Sequence, residues 1–219
     1  MNAFAKIRNI FFIAFPLLLL AAGVFVVTTS PRVAAAETKS KLPIAEERGG
    51  EFTLTGHDGG DAKVSLQDYR GKIVLLTFGY THCPDVCPLI LTHLKQLMQK
   101  LGPHQDDVQT LFVTLDPERD TPDRLKTYVS YFNPAFMGLT GSQEDILQVT
   151  KQYGAVYMKL NGDSAAGYLY AHTDYIYLID HQGRLRMRYR SEAPLERIAS
   201  DIQLLLASNS SPIVKKGKP

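Results

Sequence analysis

The chain has no tryptophan and only two cysteines in 219 residues. Two cysteines cannot build the disulfide framework of a small secreted scaffold, and a chain of this length can bury a core without one. A basic stripe with interleaved aromatics is also missing. Net charge is +2, and Lys215, Lys216 and Lys218 near the C-terminus account for the excess, which argues against nucleic acid as a partner. No internal repeat is visible. Hydrophobic residues at 45% and charged residues at 21% exclude a mostly disordered chain. Proline is absent from Ala135 to Ala193.

At the N-terminus, Lys6 and Arg8 precede an uncharged apolar run from Ile10 to Val27, 18 residues long. That length falls within the roughly 17–25 residues that cross a bilayer as a helix. It exceeds the roughly 7–15-residue core of a cleaved signal peptide, although Ala34–Ala36 would suit a peptidase. The run predicts an N-terminal transmembrane helix, with a cleaved signal as the alternative. The positive flank holds the N-terminus in the cytoplasm and exports the rest. The expected location is therefore a bacterial inner membrane, crossed once, with the domain facing the periplasm. The organisation reads as anchor or signal over 1–28, linker over 29–50, one folded domain over 51–207 and a basic, mobile tail over 208–219.

The domain has an alternating α/β pattern. "EFTLTGHDGGDAKVSL" reads as a hairpin around Gly59–Gly60. "KIVLLTFGY" and "VQTLFVTLD" are continuous apolar and β-branched runs, as expected of strands buried on both faces. Between them, Leu89, Leu94, Leu97 and Leu101 recur at helical spacing and stop at Gly102. Thr121 with Pro122, and Ser142 with Asp145, mark two further helix starts. "YIYLID" and "RLRMRYR" form an antiparallel pair, and "APLERIASDIQLLLA" a closing amphipathic helix. The expected fold is a thioredoxin-like mixed sheet flanked by helices. Ligands of open α/β sheets bind at the carboxyl edge of the strands, and both cysteines follow a strand there.

Those cysteines lie in "TFGYTHCPDVCPLIL" as Cys83 and Cys87, each followed by proline. The prolines make the stretch a distorted loop or first helical turn. There, unsatisfied N–H groups and the helix dipole favour both sulfurs as thiolates. Residues i and i+4 share a helix face, so the sulfurs can bridge each other or grip one ion. Three uses compete. A structural disulfide would close too short a loop to constrain the unfolded chain much. A dithiol redox couple normally has C-x-x-C spacing. A metal site needs a third ligand.

Among the six histidines, His57, His93, His104 and His181 read as solvated surface residues, and His82 as a ring turned away from the thiols. His172 differs, because it precedes a central strand. In a thioredoxin-like sheet the loop entering that strand faces the cysteine helix and usually carries proline. Here it offers an imidazole. Two thiolates and one imidazole make a soft, low-coordinate set suited to Cu(I) and able to hold Cu(II), whereas zinc would want a fourth ligand.

"TFGYTHCPDVCP", "TLDPERDTP" and "HTDYIYLID" resemble the Sco/SenC family of membrane-anchored copper proteins, over about residues 50 to 207. The resemblance implies a thioredoxin-like fold that binds one copper ion through Cys83, Cys87 and His172. It also implies a role in assembling the binuclear CuA centre on cytochrome c oxidase subunit II. That role is copper delivery, with another copper carrier as the source of the ion, or reduction of the subunit's cysteines as a thiol–disulfide reductase, or both. The family often has Asp-His-Ser where this chain has Ala171-His172-Thr173, removing an acidic neighbour of the histidine.

Several other residues sit beside this site. Asp116 and Asp120, with Glu118 and Arg119, follow a strand end at the same edge. They read as a capped, salt-bridged turn, with support for the copper loop or a partner-docking surface as the alternatives. Asp85 reads as a turn residue, with an oxygen ligand for Cu(II) as the alternative. Arg184, Arg186, Arg188 and Arg190 alternate along one strand and suggest a solvated, edge-protecting face. Tyr168, Tyr170, Tyr175 and Tyr177 suggest sheet packing.

Overall fold

The computed structural model describes residues 48–58, 62–164 and 167–209, all within the compact unit Ser40–Pro219. The anchor, most of the linker and most of the basic tail anticipated from sequence lie outside the described residues; Ser208 and Asn209, expected in the tail, belong to the last helix. Among the described residues, no helix is long and apolar enough to cross a membrane.

Seven strands form one mixed sheet. They are β1 (Thr53–Gly56), β2 (Lys63–Ser65), β3 (Ile73–Gly79), β4 (Val108–Thr114), β5 (Met137–Thr140), β8 (Tyr175–Ile179) and β9 (Leu185–Arg190), in the order β2-β1-β5-β4-β3-β8-β9. β3, β4 and β5 run parallel, while β1 and β8 are antiparallel to their neighbours β5 and β3. The helices are α1 (Val86–Leu101), α2 (Pro122–Phe132), α3 (Gln143–Tyr153) and α4 (Leu195–Asn209).

The alternation of β3 builds both layers at once. Ile73 and Leu75 enter a core with Leu91, Leu94 and Leu97 of α1, Leu125 and Val129 of α2, and Ile198 and Ile202 of α4. Val74, Leu76 and Phe78 turn the other way, toward Ile146, Val149 and Tyr153 of α3. A strand covered on both faces is apolar at nearly every position, which is why its sequence is a continuous run; on α1, Leu89 departs from the expected leucine stripe and is exposed. The predicted caps are present. Thr121 Oγ1 accepts from the Arg124 N–H at 3.3 Å. Ser142 and Asp145 form a reciprocal capping box.

β6 (Tyr157–Ser164) and β7 (Gly167–His172) pair only with each other, as a two-stranded ribbon apart from the main sheet. Sequence reading anticipated the extended stretch ending at His172 but not β6, whose Lys159, Asn161, Gly162 and Asp163 carry no strand alternation.

Candidate metal centre

The parallel strands β3 and β4 end at one edge of the sheet, in register from Ile73 opposite Val108 to Gly79 opposite Thr114. The antiparallel strand β8 begins at that edge, with Ile176 opposite Thr77. Three segments therefore meet there: the cysteine loop after β3, the Asp116–Asp120 turn after β4, and His172 just before β8.

Cys83 lies in the loop, half-buried, and Cys87 lies in the first turn of α1, 1% exposed; both are free thiols. The ligand atoms of Cys83, Cys87 and His172 all lie within 4.8 Å of one another. Cys87 Sγ and His172 Nε2 are 3.3 Å apart. His172 Nδ1 lies 3.0 Å from the Thr173 carbonyl, a contact that requires the proton on Nδ1 and leaves the Nε2 lone pair aimed at the sulfurs. That carbonyl, not an acidic neighbour, sets the ring. Ala171 is exposed and points to the opposite face of β7 from His172, so the missing aspartate takes no orienting contact from the imidazole.

The two sulfurs are unlike. A hydrogen bond from the Cys87 thiol, opposed by burial and aided by His172 and by the Asp85 and Cys87 amides, brings the Cys83 pKa down to about 4. The Cys87 N–H lies 3.5 Å from Cys83 Sγ. Cys87 moves the other way: its bond to Cys83, then burial, push its pKa well above the ordinary thiol value. This corrects the expectation that the helix start would favour both as thiolates. Cys87 is sealed in the core, and one proton is shared by the pair. For His172, burial pulls the pKa down, but the bonds to the Cys83 sulfur and the Thr173 carbonyl outweigh it and leave it raised.

Gly79, the last residue of β3, was not singled out from sequence. A methyl group there would lie 2.9 Å from Cys87 Sγ and 2.7 Å from the Phe112 ring, so the glycine makes room for the sulfur. No sequence signal distinguishes this from any other strand-end glycine.

The Asp116–Asp120 turn is both a salt-bridged turn and a support. Asp120, fully buried, accepts from the Thr81 N–H at 2.9 Å, the Thr81 hydroxyl at 2.6 Å and the Thr114 hydroxyl at 2.6 Å, fixing the entry to the cysteine loop. Asp116 pairs with Arg119 and accepts from the Tyr168 hydroxyl at 2.8 Å. His82 turns away from the thiols, as anticipated, and accepts from Arg124 at 3.0 Å. It also lies near Asp116 and Asp120, but both carboxylates are already committed to side-chain donors. Asp85 is exposed, with no side-chain cap bond; it contributes through its backbone amide to Cys83.

Three expectations need correction. His57 is 5% exposed, not solvated, because its Nδ1 accepts from the Gly138 N–H at 3.0 Å. His93 and His181 are half-buried; only His104 of the four is exposed. The arginines are not one solvated face, since Arg184 and Arg186 converge on buried Asp180 at 2.8 and 3.0 Å. The tyrosines divide: Tyr177 packs in the sheet, whereas Tyr170 stacks edge-on against Tyr80 beside Cys87.

With this geometry in hand, comparison with known proteins is decisive. The SCO1/SenC family description matches residues 41–207. The chain belongs to the Sco family. A SCO2-like protein of Rickettsia felis is 34% identical over 184 residues, spanning 82% of this chain and 89% of that one. The solved structure of ScoI from Bradyrhizobium japonicum with copper bound is 36% identical, with a TM-score of 0.66, covering 73% of this chain and 99% of that chain. The structure of BsSco, described as showing a disulfide switch in a family of cytochrome c oxidase assembly proteins, is 28% identical with a TM-score of 0.63, covering 76% and 98%. The Sco fold is thus the mixed, thioredoxin-like sheet anticipated from sequence.

Proposed function

We propose that this Sco protein is a copper metallochaperone that holds one copper ion between Cys83, Cys87 and His172 and helps assemble the CuA centre of cytochrome c oxidase subunit II. One observation carries the reading: two thiol sulfurs and a tautomer-fixed imidazole nitrogen converge within 4.8 Å at the sheet edge. This donor set fits copper. Thiolate and imidazole are the ligands that select Cu(I) and tolerate Cu(II). Cys83 is already ionised near neutral pH, so loading needs chiefly the Cys87 proton to leave. Three protein donors leave a side open to a thiolate of the acceptor, which can take the ion by stepwise ligand exchange. The copper-bound relative and the oxidase-assembly description of BsSco support the cargo and the partner. The apolar run before the domain supports tethering in a bacterial inner membrane with the domain in the periplasm, where another copper carrier would load it.

Anaerobic Cu(I) titration of the reduced protein tests this. The parent should bind one equivalent tightly, and Cys83→Ala and His172→Ala should each weaken binding by more than about tenfold. Binding unaffected by either change would sink the reading.

A second reading has its own support. A half-buried thiolate at Cys83 beside a protonated, buried Cys87 is the pairing a thiol–disulfide reductase uses, with the accessible sulfur attacking and the buried one resolving. Exchange with a disulfide substrate that persists in His172→Ala, together with oxidase assembly by that variant in cells, would favour reduction as the main task.

A further inference from the structure

The donors of the site rest on unequal supports. Cys83 and Cys87 lie between β3 and the start of α1, two elements packed in the core, whereas His172 ends a ribbon with no backbone ladder to the main sheet. An isolated two-stranded ribbon is marginal in water, so side chains must hold it. Tyr80 makes one attachment: its hydroxyl accepts from the Tyr170 N–H at 3.1 Å and donates to the Tyr170 carbonyl at 3.3 Å. Tyr157, opposite His172 in the ribbon, makes a second by accepting from Gln143 of α3 at 2.8 Å; a third is Tyr168, which lies on the same face of β7 as His172, about 13 Å along the strand. Its hydroxyl sits 2.8 Å from Asp116 Oδ1 and 3.1 Å from Glu118 Oε2. Its ring lies between two cations, the Arg119 guanidinium at 3.7 Å and Lys159 Nζ at 3.6 Å from the centroid. Lys159 in turn reaches Glu118 at 3.4 Å. Two carboxylates, two cations and one phenol thus close a neutral cluster joining ribbon to turn. The same turn holds the cysteine loop, through Asp120 and Thr81.

We propose that Tyr168 is a positioning residue: it latches the β6–β7 ribbon onto the Asp116–Glu118 segment and so governs how readily His172 leaves the two sulfurs, and with it the rate of copper release. The release part rests on the copper reading above; the latch itself does not. Releasing the latch swings away the one donor carried by the ribbon, leaving the ion on the two sulfurs and open to an acceptor thiolate. Phenylalanine at 168 keeps the ring between its cations and deletes only the hydroxyl, and leucine deletes the ring as well.

The test uses the full chain in detergent. Hydrogen exchange of the metal-free protein should show ribbon amides, Tyr170 among them, exchanging about tenfold faster in Tyr168→Phe and faster again in Tyr168→Leu, with β3 and β4 amides unchanged. Cu(I) transfer to bicinchoninate should quicken in the same order. Unchanged ribbon exchange in both variants overturns the latch. Exchange that rises throughout the main sheet overturns it too, by making Tyr168 an ordinary stability residue. Faster ribbon exchange with unchanged transfer overturns its control of release. A parent that fails to bind one Cu(I) sinks the copper reading instead, whatever the exchange data show.

Discussion

The central sheet and the β6–β7 ribbon are held together by different physics. β3 is buried at all seven positions between two apolar layers, and its contribution is largely area removed from water. The ribbon has an outward face of exposed Met158 and Leu160, and an inner face fastened by phenols, carboxylates and cations. Apolar packing is strong and undirected; the polar fastenings are weaker and specific. A site that takes two ligands from the first region and one from the second has a fixed floor and a removable wall, which suits a protein whose cargo must leave.

Truncating the core should have the largest effect on stability. Leu94, fully buried between sheet and helices, should cost about 2–5 kcal/mol on Leu94→Ala, measured by urea unfolding of the metal-free protein. Gly79→Ala, at the boundary between core and site, should cost about 1–3 kcal/mol through overpacking against Cys87 and Phe112. It should also weaken Cu(I) binding, because the cheapest relief displaces the Cys87 sulfur. On the ribbon side, Tyr80→Phe removes both bonds to Tyr170 and should cost only about 1 kcal/mol globally, while ribbon amides exchange disproportionately faster. Equal effects on ribbon and sheet would erase the contrast.

The pH dependence separates the same two regions by smaller increments. His172 must be neutral to bind metal, and its pKa is raised above the ordinary 6.5. Copper affinity should therefore fall as pH drops through a range beginning above 6.5, and His172→Ala should remove that limb of the profile. Cys83 should remain a thiolate down to about pH 4. Its alkylation by iodoacetamide in the metal-free, reduced protein should accordingly be nearly constant from pH 6 to 8 and decline only near 4, with Cys87 far slower throughout. A midpoint near the ordinary thiol value would contradict the shared-proton pair.

The same division explains how much could be read from sequence. The runs Ile73–Gly79 and Val108–Thr114 and the leucines of α1 announce the sheet and its covering helix, because hydrophobic burial leaves a periodic trace. The cysteine loop was legible from its prolines. His172 was legible through the missing proline before β8 and the resemblance to a family. The ribbon strand β6 was not, since its strand form depends on pairing with β7 and on side-chain fastening, neither of which imposes a pattern on Lys159–Asp163. Nor were the links from Asp120 to Thr81 and from Asp116 to Tyr168, which join residues 39 and 52 positions apart. His57 was misjudged for a related reason: a glycine-rich turn looks exposed until a second strand end closes over it.

The central claim, one ion held by the two thiols of the cysteine loop and α1 and by one ribbon imidazole, is tested most directly by X-ray absorption at the copper edge on the Cu(I)-loaded, reduced full chain. The account predicts two sulfur scatterers and one nitrogen scatterer in the parent, with the nitrogen lost in His172→Ala. A parent spectrum with sulfur alone, or one that His172→Ala leaves unchanged, would contradict it.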